Sequence, residues 1–161
     1  MPKEPPSALV KAMNLLAQRS LSEMELLNKL RRAGYPDNEC DNAIAECIKR
    51  HYLDDEQLTA DCVDILHQRN LGARQIKMKL SRRGLDLEKV NELLDQSPDE
   101  EIESARRAME TKLRSLIRET DPRKKREKLF RFMVGRGFSP ALIFKLLSES
   151  ENDCQESDIT D

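Results

Sequence analysis

Residues 70–94, NLGARQIKMKLSRRGLDLEKVNELL, hold one complete helical pattern of this chain. Ile76 and Leu80 are four residues apart, which places them on one face of an amphipathic helix. Gly84 then ends that helix, because glycine adopts the left-handed C-terminal turn without steric cost. A second helix follows, and its predicted apolar face is Val90, Leu93 and Leu94.

The same pattern occurs on either side of this stretch. When Gly34, Gly84 and Gly137 are superimposed, the apolar positions around them coincide without gaps. The matched positions are Leu26, Ile76 and Leu129; Leu30, Leu80 and Met133; Tyr35, Leu85 and Phe138; Cys40, Val90 and Ile143; Ala43, Leu93 and Leu146; and Ile44, Leu94 and Leu147. Repeats of about 50 residues are typical of stacked helical units, none of which buries its apolar face alone. The sequence therefore predicts an all-α fold of three tandem copies.

Composition limits how the predicted helices pack. The 161 residues are 38% hydrophobic, 36% charged and 4% aromatic, without Trp. Apolar residues therefore suffice for about one stripe per helix. This favours thin, elongated helical packing over a thick globule.

The net charge of -2 conceals a strong segregation of charge. Residues 67–84 contain six Lys or Arg and no acid, and residues 123–136 contain seven bases and one acid. In contrast, residues 85–103 contain eight acids and one base, and residues 149–161 contain six acids and no base. Binding partners are therefore expected to recognise local patches rather than the net charge.

The first residues, MPKEPP, lack an apolar leader, and no run approaches the roughly 18 apolar residues of a membrane span. A cytoplasmic protein without a membrane segment is expected. Its cysteines are then expected to be reduced thiols rather than a disulfide framework. They are Cys40, Cys47, Cys62 and Cys154.

Capping signals and repeat register divide the chain. Ser22 and Glu25 have the spacing of a capping box, and Asp54 precedes an apolar run as an N-cap does. Ser97 with Pro98 is predicted to open a long helix that extends to Ile117. The predicted segments are a flexible arm at 1–7, helical repeats at 8–55, 56–97 and 98–150, and an acidic disordered tail at 151–161.

Residues that suggest catalysis or metal binding have simpler explanations. Asp54 and Asp55 are adjacent carboxylates, but helix capping accounts for Asp54, and no further ligands converge there. Cys47 and His51 are four residues apart, and Cys62 and His67 follow, yet this spacing matches no common zinc pattern. No Gly-rich phosphate loop or activated nucleophile is apparent. We predict no enzyme, no metal and no cofactor.

Two clusters of basic residues are the candidate interaction surfaces. The first precedes Gly84 and consists of Arg69, Arg74, Lys77, Lys79, Arg82 and Arg83. The second opens the penultimate helix and consists of Arg123, Lys124, Lys125, Arg126, Lys128 and Arg131. A polyanion or acidic protein surface would fit both clusters, although charge runs also serve simply to solvate outer helix faces. The predicted partner contacts are Arg69, Arg74, Arg82, Arg83, Lys124, Lys125, Arg131 and Arg136.

One set of residues resembles a known family. It begins with Tyr52, Leu53, Asp54 and Asp55 and continues, at fixed spacings, with Arg69, Gly72, Ile76, Leu80, Gly84 and Leu85. This pattern is similar to that of the RecX regulators of the bacterial RecA recombinase. Arg136, Gly137, Phe138 and Ile143 fit the same pattern. The resemblance covers about residues 8–148. Two departures are His51, where the family usually has Gly, and the acidic tail.

The resemblance implies a fold and a function. The implied fold is three tandem three-helix repeats, helix-turn-helix-like, in one elongated and curved domain. The implied partner is the RecA filament on single-stranded DNA, which the protein would bind to block extension or promote disassembly. Strand exchange, ATP hydrolysis and co-protease activity would be suppressed, with consequences for homologous recombination, DNA repair and the SOS response.

A second hypothesis is a helical-repeat protein that binds naked DNA through its basic patches and has no recombinase partner. Base stacking is expected to contribute little to such binding, because aromatic residues are scarce. Dependence of binding on the recombinase would separate the two hypotheses. A monomer is expected in either case.

Overall fold

The computed structural model describes residues 4–156, with side chains as far as residue 150. This part of the chain consists of α-helices connected by turns and loops, and it contains no strand. Its helices are α1 (Ala8–Gln18), α2 (Glu23–Arg32), α3 (Asp37–Lys49), α4 (Asp55–Gln68), α5 (Ala73–Arg82), α6 (Leu87–Gln96), α7 (Pro98–Ser115), α8 (Pro122–Gly135) and α9 (Pro140–Glu156). The predicted all-α repeat fold is confirmed.

Local capping chemistry sets most helix starts. At α2 the Ser22 hydroxyl accepts from the Glu25 amide (3.1 Å), and the Glu25 carboxylate accepts from the Ser22 amide (2.9 Å). Asp54 accepts from the Gln57 amide (3.0 Å) at the start of α4. These two predicted caps are therefore present, and each satisfies backbone donors that lack a partner within the helix.

Three left-handed glycines end the second helix of each repeat. Gly34, Gly84 and Gly137 have φ of 91°, 73° and 95°. This backbone region is costly for residues with a Cβ, which explains why glycine recurs at this point of the repeat. His51 takes the same region with φ of 59°, so the turn after α3 keeps left-handed torsions although an imidazole stands there.

The described residues pack into two compact units. The first contains residues 4–62 and 79–90, and the second contains residues 63–78 and 91–156. In the first unit Leu26, Leu30, Cys40 and Cys47 are fully buried between α1, α2 and α3. In the second unit Met133 and Ile143 are fully buried, with Ala105 of α7 beside them.

The middle repeat contributes to both units. The beginning of α4 and the turn after α5 belong to the first unit, whereas the end of α4 and the beginning of α5 belong to the second. The repeat boundaries at 55/56 and 97/98 follow sequence repetition and remain a prediction.

Three local expectations differ from the structure. Ile117 is 81% exposed, because α7 ends at Ser115 and the apolar stripe is not continued. Ser97 occupies the N-cap position of α7 without a side-chain hydrogen bond, and Pro98 provides the start instead. Helix α9 continues to Glu156 rather than ending near residue 150. Of the predicted arm and tail, residues 1–3 and 157–161 lie outside the described residues.

Candidate partner-binding surfaces

Arg83 lies at the centre of a polar junction in the first unit. Its guanidinium donates to both carboxylate oxygens of Glu25 (3.1 and 2.9 Å) and to the carbonyl of Ser20 (3.1 Å). It also donates to the Cys62 thiol at 3.0 Å. The side chains of Arg83 and Glu25 are only 26% and 18% exposed. Arg83 thus ties the turn after α5 to the start of α2.

The Arg83 contact changes the ionisation of its partner. Burial alone raises the pKa of Glu25, but the Arg83 hydrogen bonds and the Ser22 amide outweigh burial, so the pKa lies below its ordinary value. The Ser22 hydroxyl also donates to the Arg83 carbonyl. Glu25 is therefore a half-buried carboxylate whose ionised form is stabilised by Arg83 and the Ser22 amide.

Arg136 forms the corresponding junction in the second unit. Its guanidinium donates to the carbonyl of Asn70 (3.0 Å) and to that of Arg69, and it lies 5.8 Å from the centroid of the Phe132 ring. The Gly72 amide donates to the Arg136 carbonyl at 2.9 Å. Arg136 thus ties the turn after α8 to the loop before α5.

The two junctions are equivalent in the repeat. Arg83 and Arg136 each stand one residue before the turn glycine, and we call them the junction arginines. Arg83 donates to the Ser20 carbonyl, and Arg136 donates to the Asn70 and Arg69 carbonyls. In both cases the acceptors lie in the loop before the second helix of the preceding repeat. The first repeat has Ala33 at this position. Among the three repeats, only the second and the third are preceded by another repeat that such an arginine could contact. This asymmetry is a sequence signal for a structural role.

A second contact recurs at both junctions. The Glu23 amide donates to Asp55 (2.9 Å), and the equivalent Ala73 amide donates to Glu101 (3.0 Å). In each case the first helix of the next repeat supplies a carboxylate to the positive N-terminus of a helix. Burial raises the pKa of Asp55. Acidic residues of the sequence therefore cap helices across repeats.

The other predicted contact residues project outward. In the first unit Arg82 is exposed, and in the second unit Arg69, Arg74 and Lys124 are exposed while Lys125 is half-buried. Arg131 is 75% exposed and pairs with Glu127 one helical turn away. Such an exposed pair contributes little to folding and can exchange for an external partner. The structure therefore leaves five of these cations exposed and Lys125 partly accessible, and it uses Arg83 and Arg136 within the fold.

Among the described residues, the cysteines outside the Arg83 junction lie in the core of the first unit. Cys40 and Cys47 are buried free thiols, and burial raises the pKa of both. Within residues 4–150, whose side chains the structure describes, no three His, Cys, Asp or Glu side chains lie together as metal ligands would. No helix within residues 4–156 is long and apolar enough to cross a membrane.

His67 is a buried imidazole in the second unit. Its side chain is 2% exposed, and its Nε2 atom has no hydrogen-bond partner. Ser104 and Arg107 donate to its backbone carbonyl (3.0 and 3.2 Å), so the end of α4 is held against α7. Burial lowers the pKa of His67, and nearby Glu101, Glu100 and Asp64 only partly oppose this effect.

The free energy of unfolding is expected to fall as pH drops below about 6.5. Because the folded pKa of His67 is depressed, the unfolded chain binds the proton first, which costs up to about 1.4 kcal/mol per pH unit until the folded pKa is reached. Urea unfolding of wild type and His67→Gln at pH 7.5, 6.5 and 5.5 measures the effect. His67→Gln should show the smaller slope. Equal slopes for wild type and His67→Gln would contradict the assignment.

Three-helix repeats joined by equivalent arginine junctions define a helical-repeat protein of helix-turn-helix-like modules. Models of two RecX domains match this sequence, the first three-helix domain at residues 8–47 and the third three-helix domain at residues 99–147. The chain belongs to the RecX family, whose curated members are named regulatory proteins.

Relatives match along nearly the whole chain. The regulatory protein RecX of Legionella pneumophila (strain Corby) is 30% identical over 139 residues, covering 86% of this chain and 91% of that protein. That of Pseudomonas entomophila (strain L48) is 32% identical, covering 85% of this chain and 87% of that protein. The crystal structure of RecX from Lactobacillus salivarius has the same fold, with a TM-score of 0.78 and 20% identity over 88% of this chain and 93% of that chain.

Proposed function

We propose that this protein is a cytoplasmic, non-enzymatic regulator of a RecA-type recombinase. It binds the recombinase filament on single-stranded DNA and blocks extension or promotes disassembly. The result is lower strand exchange, ATP hydrolysis and co-protease activity. Membership of a family of regulatory proteins carries this proposal, and it requires neither metal nor cofactor.

The accessible cations are proposed to make the partner contacts. They are Arg82 in the first unit, and Arg69, Arg74, Lys124, Lys125 and Arg131 in the second. The start of α8 is the strongest anchor, because Lys124 and Lys125 place two adjacent positive charges in its first turns. Asp121 caps this helix through the Arg123 amide (2.9 Å), so the cationic turn has an ordered backbone. Acidic recombinase surface or filament-bound DNA would meet these side chains.

The decisive experiment is a titration of this protein into the recombinase of the same organism on single-stranded DNA. ATP hydrolysis is measured from far below equimolar amounts, and binding to the same DNA is measured in parallel. A fall in rate at amounts too small to cover the DNA supports filament regulation. An unchanged rate, or a fall only when the DNA is saturated, would overturn the proposal in favour of naked-DNA binding.

Reversing the charges at the start of α8 should weaken inhibition. The double variant Lys124→Glu, Lys125→Glu is expected to raise the concentration for half-inhibition about tenfold, equivalent to about 1.4 kcal/mol. The loss should shrink at high salt, because exposed charges are screened. Helix content should be unchanged, since neither side chain belongs to a core.

The matched control is Lys29→Glu, Lys145→Glu. It changes the net charge by the same amount at two other exposed lysines. Equal loss of inhibition in both double variants would show that net charge matters and not the α8 surface. Arg83 is unsuitable for this test, because its replacement by Glu would set two carboxylates against each other in the junction.

A further inference from the structure

Two phenylalanines form an exposed aromatic pair on the second unit. Phe130 of α8 and Phe144 of α9 have ring centroids 5.2 Å apart with the planes inclined by 33°. Phe144 remains 51% exposed, and Phe130 is half-buried against the core of that unit. Helix packing brings together two rings that are far apart in the sequence. Two adjacent aromatic rings at the surface form a candidate binding contact.

The pair lies beside an open cleft of about 320 Å³. Its lining residues are Arg123, Arg126, Glu127, Phe130 and Phe144. The floor of the cleft is the aromatic pair, and charged side chains stand at its rim. An apolar floor with a polar rim is the arrangement that holds a single apolar anchor residue of a peptide.

The charge around the cleft is strongly positive. Residues 123–131 carry six Lys or Arg and one acid. The one acid, Glu127, is paired with Arg131. Lys128 is held by Glu119 at 2.5 Å outside this stretch. The ligand that complements such a rim is negative, and the floor requires it to be apolar as well.

We propose that this cleft binds an acidic peptide segment of a partner protein through one large apolar side chain. The anchor packs on Phe130 and Phe144, and neighbouring carboxylates of the peptide meet Arg123 and Lys124. Single-stranded nucleic acid fits less well, because the rings contact each other and leave no space for a base between them.

This site goes beyond the proposed regulation of the recombinase. Its test needs no recombinase, so failure of one proposal leaves the other standing. The probe is a fluorescein-labelled peptide of Asp and Glu with one central Phe, titrated with the full chain and followed by fluorescence anisotropy. A peptide with Ala in place of Phe tests the anchor.

Phe144→Ser is expected to weaken binding of the Phe peptide at least fivefold, and the Ala peptide should bind the wild-type chain at least fivefold more weakly. Phe144→Leu, which keeps an apolar contact, should stay within twofold of wild type. The control Ile117→Ser removes another exposed apolar side chain of the same unit and should have no effect. Melting temperatures verify that all variants are folded.

Three outcomes would overturn the proposal. Equal affinity for the Phe and Ala peptides would leave only charge attraction. Unchanged binding by Phe144→Ser would place the anchor elsewhere. Tighter binding of an oligothymidylate than of the Phe peptide, with loss of that binding in Phe144→Ser, would make the surface a nucleic-acid site.

Discussion

Gly72→Ala is expected to destabilise the second unit by about 3 kcal/mol or more, the upper part of the range for overpacking. A Cβ atom at residue 72 would stand 2.5 Å from the carbonyl carbon and oxygen of Gly137 and from the amide nitrogen of Phe138. All three are backbone atoms, which cannot rotate away as a flexible side chain can. The added methyl group therefore has to separate two chain segments.

That separation would also break hydrogen bonds. The Gly72 amide donates to Arg136 (2.9 Å), and the Arg74 amide donates to Gly137 (3.2 Å). The Gln75 side chain donates to Gly135 at 3.1 Å. Each buried donor or acceptor left without a partner costs about 1–3 kcal/mol, so the packing and hydrogen-bond losses reinforce each other.

Urea unfolding followed by circular dichroism measures the loss. The matched control is Gly135→Ala in the same unit, where an added Cβ meets nothing within 4 Å. Alanine at that helical position should be neutral or stabilising by up to about 1 kcal/mol. If Gly72→Ala unfolds at the wild-type urea concentration, the close approach of the two backbones is wrong.

Arg83→Ala is expected to destabilise the first unit by about 2 kcal/mol, below the 3–5 kcal/mol of a fully buried pair because solvent screens part of the contact. The variant removes the two-point contact with the half-buried Glu25 carboxylate and leaves it only the ion pair with the more exposed Arg19. It also removes the donor to the Ser20 carbonyl. The stability that comes from the depressed pKa of Glu25 exists above the ordinary carboxyl pKa and is lost as pH falls through the folded pKa. The deficit of the variant should therefore shrink in acid.

The matched control is Arg82→Ala, one residue earlier at the end of α5, where the side chain is exposed. It should leave the melting temperature nearly unchanged. Arg83→Lys should recover only part of the loss, because an ammonium group cannot bind both carboxylate oxygens in the same planar fork. A double-mutant cycle with Glu25→Gln isolates the pair. Equal melting temperatures for Arg83→Ala and Arg82→Ala would contradict the junction.

The junction arginines limit how function can be tested. Loss of inhibition in an Arg83 or Arg136 variant would follow from loss of structure, whatever the partner. Loss in an Arg82 or Lys124 variant carries information about binding, because these side chains contribute little to either core.

Helix positions could be inferred from local sequence because their causes are local. The Ser22 and Glu25 box, the Asp54 cap and the left-handed turn at Gly84 involve residues within a few positions of each other. The helical period and the capping residues can be recognised without knowledge of distant chain segments. The errors occur where local patterns compete, as at Ile117, which continues an apolar stripe but follows the end of α7.

The candidate site could be inferred only in part. Composition marked both basic clusters, but it treats every arginine alike. Arg82 and Arg83 are neighbours at the end of α5 and in the turn that follows it, yet only Arg83 contacts Glu25 of a distant segment. The pair of Phe130 and Phe144 could likewise not be inferred from the sequence, because neither residue belongs to the repeated apolar positions.

The sequence by itself determined the helices, their ends and the repetition of one unit, since backbone hydrogen bonds, caps and the helical period act over a few residues. The tertiary structure alone decided which charged side chains form contacts within the fold and which are exposed to water. It did so because packing brings together groups some 60 residues apart, such as Glu25 and Arg83, whose separation is 58 residues. Only that proximity makes Arg83 a structural residue and leaves Lys124 available to a partner.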